Sequence, residues 1–157
     1  MGMYTQLNIQ VELRPSTPDE VIATLKYLVG DSEVCTPEAT KLDRMYCSKD
    51  DDIAYRFLLG SSYYFDPPEA HSYLEFDDVS KTYYLSVLAD IKNYAGTWEA
   101  FLRWLAPYVE KSCHYIGTIR YEGDSLPTLI VMDKGKAFFH FIGSGYREEI
   151  TLAEYEK

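Results

Sequence analysis

The stretch from Tyr83 to Val109, YYLSVLADIKNYAGTWEAFLRWLAPYV, decides the fold because it combines a strand with an amphipathic helix. Residues 82–92 alternate apolar and other side chains, which is typical of a strand with one buried face. Thr97 is then predicted as the N-cap of a helix, and Pro107 limits the regularity of its last turn. The inward positions of that helix are Trp98, Phe101, Leu102 and Leu105.

Residues 4–29 repeat this plan at an offset of eighty residues. Leu7, Ile9 and Val11 align with Val87, Ala89 and Ile91, while Val21, Ile22, Leu25 and Val29 align with Phe101, Leu102, Leu105 and Val109. The match indicates two equivalent strand–helix units. Amphipathic strand–helix pairs also resemble one another through physics alone, so both interpretations stay open.

The other elements follow from the same periodicities and from turn residues. A strand over 4–14 precedes a helix that has Thr17 as N-cap, a capping box with Glu20, and Gly30 as its left-handed end. The remaining predictions are a short helix over 37–46 begun by Thr36-Pro37, strands over 53–65, 72–77, 114–122, 127–133 and 137–142, and a short helix or frayed tail over Gly143–Lys157.

This order predicts an α+β fold with a mainly antiparallel sheet and two main helices on one face. The expected arrangement is a split β-α-β, or ferredoxin-like, unit with an added C-terminal β-hairpin. Right-handed crossover connections are compatible with it.

Length and composition predict one domain over residues 1–157, because domains centre near ~100–150 residues. The net charge is −10, and the acidic region 31–80 alone holds 12 acidic and 4 basic side chains. Such a charge disfavours direct nucleic-acid binding, which depends on Lys and Arg. Three widely spaced cysteines, together with no signal peptide or apolar span, predict a cytoplasmic protein that does not enter a membrane.

Gly123-Asp124-Ser125-Leu126 resembles the opening motif of GDSL-type ester hydrolases. That family places its Ser near the N-terminus and adds an Asp-x-x-His motif near the C-terminus. This chain has no Asp-x-x-His after Ser125, and His140 lies in an apolar strand pattern. A nucleophile needs a base within hydrogen-bond reach, so we interpret the four residues as a turn.

Other patterns that carry chemistry are also weak, and we predict no catalytic residue, no cofactor and no metal. Cys113 and His114 point to opposite faces of a strand, and no paired zinc ligands accompany Cys35 and Cys47. Asp50-Asp51-Asp52 lacks the spacing of a calcium loop. No Gly-rich phosphate loop is present, and the carboxylates of Glu75, Asp77 and Asp78 are expected to be solvated.

Tyrosine is the feature that stands out, since the chain has fifteen, five of them between residues 46 and 73. Tyr offers a large contact area with a hydrogen-bonding tip and little rotamer entropy. We therefore predict an interaction surface on the sheet face away from the helices. Its predicted residues are Tyr63, Tyr64, Tyr73, Glu75, Tyr84, Ser86, Leu88 and Asp90.

Two classes of function follow. The first is a non-enzymatic protein that binds a protein partner, or a second copy of itself, through this Tyr-rich acidic face. Small acidic inhibitors or accessory proteins of mobile elements, including mimics of DNA, share such a composition. The alternative is a small-molecule-binding or enzymatic domain with a pocket between sheet and helices, because folds of this kind host many activities.

Overall fold

A computed structural model describes residues 4–44, 53–66, 68–110 and 114–152. Its regular elements are β1 (Tyr4–Glu12), α1 (Asp19–Leu28), α2 (Pro37–Leu42), β2 (Tyr73–Asp77), β3 (Thr82–Lys92), α3 (Thr97–Leu105), β4 (Tyr115–Tyr121), β5 (Thr128–Asp133), β6 (Lys136–His140) and β7 (Arg147–Glu149). Two short 3₁₀ turns, Phe57–Leu59 and Ala106–Tyr108, complete them.

All the described strands form one antiparallel sheet in the order β2-β3-β1-β4-β5-β6-β7. The predicted α+β class with a mainly antiparallel sheet is therefore confirmed. The sheet is larger than expected, because β5, β6 and β7 continue it beyond β4. A glycine allows the backbones of β4 and β1 to approach closely. Gly117 has φ of 154°, and a Cβ there would lie 1.9 Å from the Asn8 carbonyl oxygen.

The register of β1 against β3 places Asn8 opposite Leu88, two residues that are eighty apart in the sequence. A half-turn about an axis through this pair carries Leu7 onto Val87 and Ile9 onto Ala89. The predicted sequence offset therefore coincides with the geometry of the pairing.

The core lies between the sheet and the helices. Leu7, Ile9 and Val11 point to it from β1, and all three are buried as predicted. Trp98 is fully buried, and its indole N–H donates to the Thr5 carbonyl at 2.8 Å. The inward helical residues predicted for α3 are likewise buried.

Both predicted Thr N-caps of the long helices are wrong. The cap of α1 is Pro18, and the Thr17 hydroxyl instead donates to the Arg14 carbonyl at 2.6 Å. The cap of α3 is Gly96, and the Asn93 side chain accepts from the Trp98 N–H at 2.9 Å. In α1 the hydroxyl of the predicted cap residue binds a backbone carbonyl that precedes it. In α3 a side chain other than that of the predicted cap residue binds a backbone N–H of the first turn.

Two other predicted helix boundaries agree with the structure. Gly30 ends α1 with φ of 86°, as predicted. Thr36 caps α2 by accepting from the Ala39 N–H at 3.2 Å. That helix ends at Leu42, before the predicted end at residue 46; residues 45 and 46 lie outside the described part.

The predicted strand over 53–65 is wrong. Its centre is the 3₁₀ turn Phe57–Leu59, in which the consecutive residues Phe57 and Leu58 are both fully buried. Alternating strand geometry cannot bury two neighbours on the same side. Phe57 packs edge-on against Trp98 and Phe101, with ring centroids 5.8 and 5.7 Å away. The aromatic character that suggested a strand therefore reflects packing in the core.

The C-terminal prediction is also wrong. Residues 143–152 form neither a helix nor a free tail, because β7 pairs with β6 and Ile150 behind it is 2% exposed. Residues 153–157 lie outside the described part. The predicted strands over 72–77, 114–122, 127–133 and 137–142 correspond to β2, β4, β5 and β6.

Candidate protein-interaction surface

The sheet face away from the helices, called here the open face, carries the even-numbered residues of β1 and β3. Side chains alternate along a strand, so the residues opposite one another form rows across neighbouring strands. The rows over β2, β3 and β1 contain six of the eight predicted interaction residues: Tyr73, Glu75, Tyr84, Ser86, Leu88 and Asp90.

The first row places a tyrosine between two carboxylates. Glu75 lies opposite Tyr84 from one side, and Glu12 lies opposite it from the other. The Tyr84 side chain is 39% exposed. This row offers an accessible ring and hydroxyl with negative charge on both flanks.

The second row places Tyr73 opposite Ser86, with Gln10 on the far side of Ser86. Tyr73 is 54% exposed. Its diagonal relation to Tyr84 corresponds to a spacing of roughly 7–8 Å, so the two rings can contact one partner. We call the six residues of these two rows the aromatic–acidic patch: Tyr73, Glu75, Tyr84, Ser86, Gln10 and Glu12.

The patch has no basic side chain, and the hairpin beside it carries two carboxylates, Asp77 and Asp78, and one ammonium group, Lys81. The Asp77 carboxylate accepts from the Val79 N–H at 3.0 Å and from the Ser80 hydroxyl at 2.9 Å. These hydrogen bonds hold the pKa of Asp77 below its ordinary value, so the group is charged at neutral pH. Asp78 follows it and is exposed.

Leu88 lies in a third row and is only half-exposed. The chain at His71 pairs with it: the His71 N–H donates to the Leu88 carbonyl at 2.8 Å, and the Leu88 N–H donates back at 3.0 Å. Leu88 therefore borders the patch.

Asp90 is not available to a partner, since it is 3% exposed. Its N–H donates to the Gly60 carbonyl at 3.0 Å. Burial raises the pKa of its carboxyl above the ordinary value, and hydrogen bonds from Ser62 offset part of that increase. The Oδ1 atom has no hydrogen-bond partner among the described residues.

Residues 60–66, called here the crossing segment, explain that burial because they lie across the end of the open face. Tyr64 stacks on Tyr4 with centroids 5.4 Å apart, and Phe65, 4% exposed, lies under the Arg120 guanidinium. Tyr63 is 96% exposed on a turn. The structure thus brings Tyr63 and Tyr64 to the face, but not on a strand and not within the patch.

The groups considered for catalysis lie on different elements of the fold. Ser125 is exposed in the turn between β4 and β5, as interpreted, and His140 lies half-buried on β6. His114 is exposed and Cys35 half-buried, while Cys47 and Cys113 lie outside the described residues. In residues 4–44, 53–66, 68–110 and 114–152, no three His, Cys, Asp or Glu side chains are grouped as metal ligands.

Comparisons of the chain with protein-family models, curated proteins and solved structures returned no match. No helix in the described part of the chain has the length and apolar character needed to span a membrane.

Sequence reasoning missed Glu12 and Gln10 as members of the surface. Alternation along β1 points both residues outward, but only the pairing of β1 with β3 places them beside Tyr84 and Ser86. The available signal was the repeat offset, which implies that the two strands are equivalent and can pair about Asn8 and Leu88.

Proposed function

We propose that this chain is a non-enzymatic cytoplasmic binding protein whose aromatic–acidic patch docks a basic surface of a protein partner. The observation that carries the proposal is the first row, in which Tyr84 stands exposed between the carboxylates of Glu75 and Glu12. Tyr and Arg are the residue types that contribute most at protein interfaces.

Charge supports a basic partner over a second copy of the chain. Two copies that paired through this patch would bring Glu12 and Glu75 near their own equivalents, and like charges in an interface cost several kcal/mol. The net charge of −10 also opposes direct nucleic-acid binding. An inhibitor or accessory protein of a mobile element would meet these conditions if its partner were a basic nucleic-acid-binding protein.

The proposed fold detail is a split β-α-β unit of the ferredoxin-like kind, extended by β5, β6 and β7. Its support is the order β2-β3-β1-β4 at one end of the sheet, with α1 between β1 and β2 in sequence and α3 between β3 and β4. The register about Asn8 and Leu88 supports the pseudo-twofold axis that such a unit requires.

The test is affinity purification from lysate with the wild-type chain and three variants as bait. A basic partner should be retained by wild type and by Tyr115→Ala, whose side chain is 60% exposed on β4. It should be lost with Tyr84→Ala, at a cost of about 2 kcal/mol or more, and weakened with Glu75→Gln. An acidic partner, or equal retention by every bait, would refute the proposal.

A second candidate function, binding of a small molecule between sheet and helices, is supported by one observation. A cleft of about 480 Å³ lies between the start of α3 and strands β4 to β7. Small-molecule sites typically occupy roughly 300–1,000 Å³.

A further inference from the structure

The cleft over β4, β6 and β7 lies on the helix side of the sheet, where the strands extend beyond α3. It has an apolar floor: Ile119 and Ile150 are 7% and 2% exposed, and Phe139 packs beside them. Tyr121 and Phe141 also line it. Its volume is about 480 Å³, which suits a ligand of a few rings or fewer.

The charged residues that line the cleft are all acidic. Glu99, Asp124 and Glu148 line it, and among its lining residues within the described chain there is no Lys or Arg. Glu149 also lines it but already has a cationic neighbour, the Lys136 ammonium, 3.9 Å from its Oε1 atom.

Glu99 is the best-positioned of these carboxylates. It lies in the first turn of α3, and the Asn93 side-chain amide contacts its two oxygens at 3.1 and 2.9 Å. Asn93 is itself fixed, because its Oδ1 accepts from the Trp98 N–H. The carboxylate is therefore oriented before any ligand arrives.

We propose that this cleft binds a small organic cation, a free amine or quaternary ammonium compound with an apolar body. The apolar part would lie on Ile119, Phe139 and Ile150, where burial of its surface favours binding. The charged end would face Glu99 and Glu148, with the neighbouring aromatic residues adding cation–π attraction.

The charge and shape of the site decide against other occupants. An anion would meet the carboxylates of Glu99, Asp124 and Glu148 with no Lys or Arg among the lining residues of the described chain, and a neutral ligand would gain no charge-assisted contact from them. A concave site suits a free compound better than a flat protein surface does. The site is independent of the aromatic–acidic patch, which lies on the opposite face of the sheet.

The test uses three probes of similar size: phenethylamine, phenethyl alcohol and phenylacetate, with benzyltrimethylammonium as a second cation. Calorimetric titration with the full chain should show binding of the cations at or below about 1 mM, equivalent to roughly −4 kcal/mol. The alcohol should bind at least about tenfold more weakly, which corresponds to 1.4 kcal/mol, and phenylacetate should not bind.

The variants Glu99→Gln and Glu148→Gln keep side-chain size and should each weaken cation binding about tenfold, a loss expected for one charge-assisted contact. Glu69→Gln, at an exposed residue of the loop before β2 that belongs neither to the cleft nor to the aromatic–acidic patch, is the matched control for net charge and should bind like wild type. Circular dichroism spectra would establish that each variant is folded.

Equal binding of the amine and the alcohol would overturn the proposal, and so would preference for the anion or the absence of cation binding at about 10 mM, near −2.7 kcal/mol. Equal loss of affinity in Glu69→Gln would overturn it as well, because general charge would then account for binding. None of these outcomes bears on the lysate experiment with Tyr84→Ala, so the two proposals fail separately.

Discussion

Gly60→Ala tests the placement of the crossing segment on the sheet. Gly60 has φ of −64° and ψ of 140°, an extended conformation that any residue adopts without strain. A Cβ at this position would lie 2.6 Å from the Asp90 carbonyl oxygen and 2.6 Å from Ile91 Cγ2. Ordinary contacts begin near 3.4 Å, so the substitution forces an overlap with a strand backbone and a buried side chain.

The expected cost follows from that overlap. Inserting a methyl group into a close-packed site costs typically about 1–3 kcal/mol. For a domain of roughly 150 residues, each kcal/mol lowers Tm by about 2–4 °C. We therefore expect Gly60→Ala to lower Tm by about 2–12 °C. If residues 53–65 formed an ordinary strand, the same change would add about 0.4–1 kcal/mol by restricting the unfolded chain.

The assay is urea and thermal unfolding monitored by circular dichroism at neutral pH. Gly143→Ala is the matched control, because a Cβ there would have no atom within 4 Å, and its effect should stay within about 0.5 kcal/mol. A Gly60→Ala protein as stable as wild type, beside a neutral Gly143→Ala, would show that the segment does not contact β3 as described.

Three further changes should affect stability. Tyr27→Phe removes the hydroxyl that donates to the Ala54 carbonyl at 2.5 Å and should cost about 1–3 kcal/mol in urea unfolding, since the carbonyl is left without that donor; an unchanged midpoint would contradict the contact. Asn93→Ala removes the acceptor for the Trp98 N–H and should cost about 0.5–2 kcal/mol, measured by thermal unfolding; no loss would mean that α3 is capped otherwise. The pKa of Asp90 is raised in the folded state, so its protonated carboxyl contributes to the free energy of unfolding. That contribution is fully present below the pKa of the unfolded chain, near 3.9, and is lost as the pH rises through the pKa of the folded state. Asp90→Asn should therefore reduce the fall in stability with increasing pH across that window in a pH series of unfolding midpoints, and an unchanged pH profile would refute this assignment.

Periodicity predicted the long elements because their apolar faces are set by local geometry. Alternation or helical spacing identifies the inward residues of β1, β3 and α3. Periodicity alone therefore predicts which side chains of these elements are buried in the core. The Thr36 cap was predicted correctly, but the Thr17 and Thr97 caps were not, because other groups contact the atoms involved. Asn93 precedes α3 by four positions and accepts from the Trp98 N–H, which the Thr97-Trp98 sequence does not reveal.

The candidate surface was only partly predictable for a related reason. Alternation along β3 identifies Tyr84, Ser86 and Leu88 as outward residues, and the structure places them on one face. The same rule placed Asp90 among them, yet Asp90 is buried because residues distant in the sequence cross the sheet. Contacts of that kind depend on tertiary folding, and no local pattern in residues 60–66 encodes them.

The axis through Asn8 and Leu88 relates two ends of the open face that differ in what covers them. Residues eighty apart are equivalent, so Tyr4 corresponds to Tyr84, and Lys92 corresponds to Glu12. At one end the Lys92 ammonium lies 5.6 Å from the Tyr4 ring centre, and Tyr64 stacks on the same ring. At the other end Tyr84 is exposed beside Glu12.

The covered end therefore shows two contacts that Tyr84 does not make with any described residue: a cation and an aromatic ring over the tyrosine. Glu12→Lys should supply the cation from within the chain, as Lys92 does for Tyr4, while removing one carboxylate of the patch. We expect stability within about 0.5 kcal/mol of wild type, because Glu12 is a partly exposed surface residue. We expect the basic partner to be lost in the lysate purification, since like charges now oppose it. Retention of that partner at wild-type level would show that Tyr84 and its flanking carboxylates do not form the docking surface.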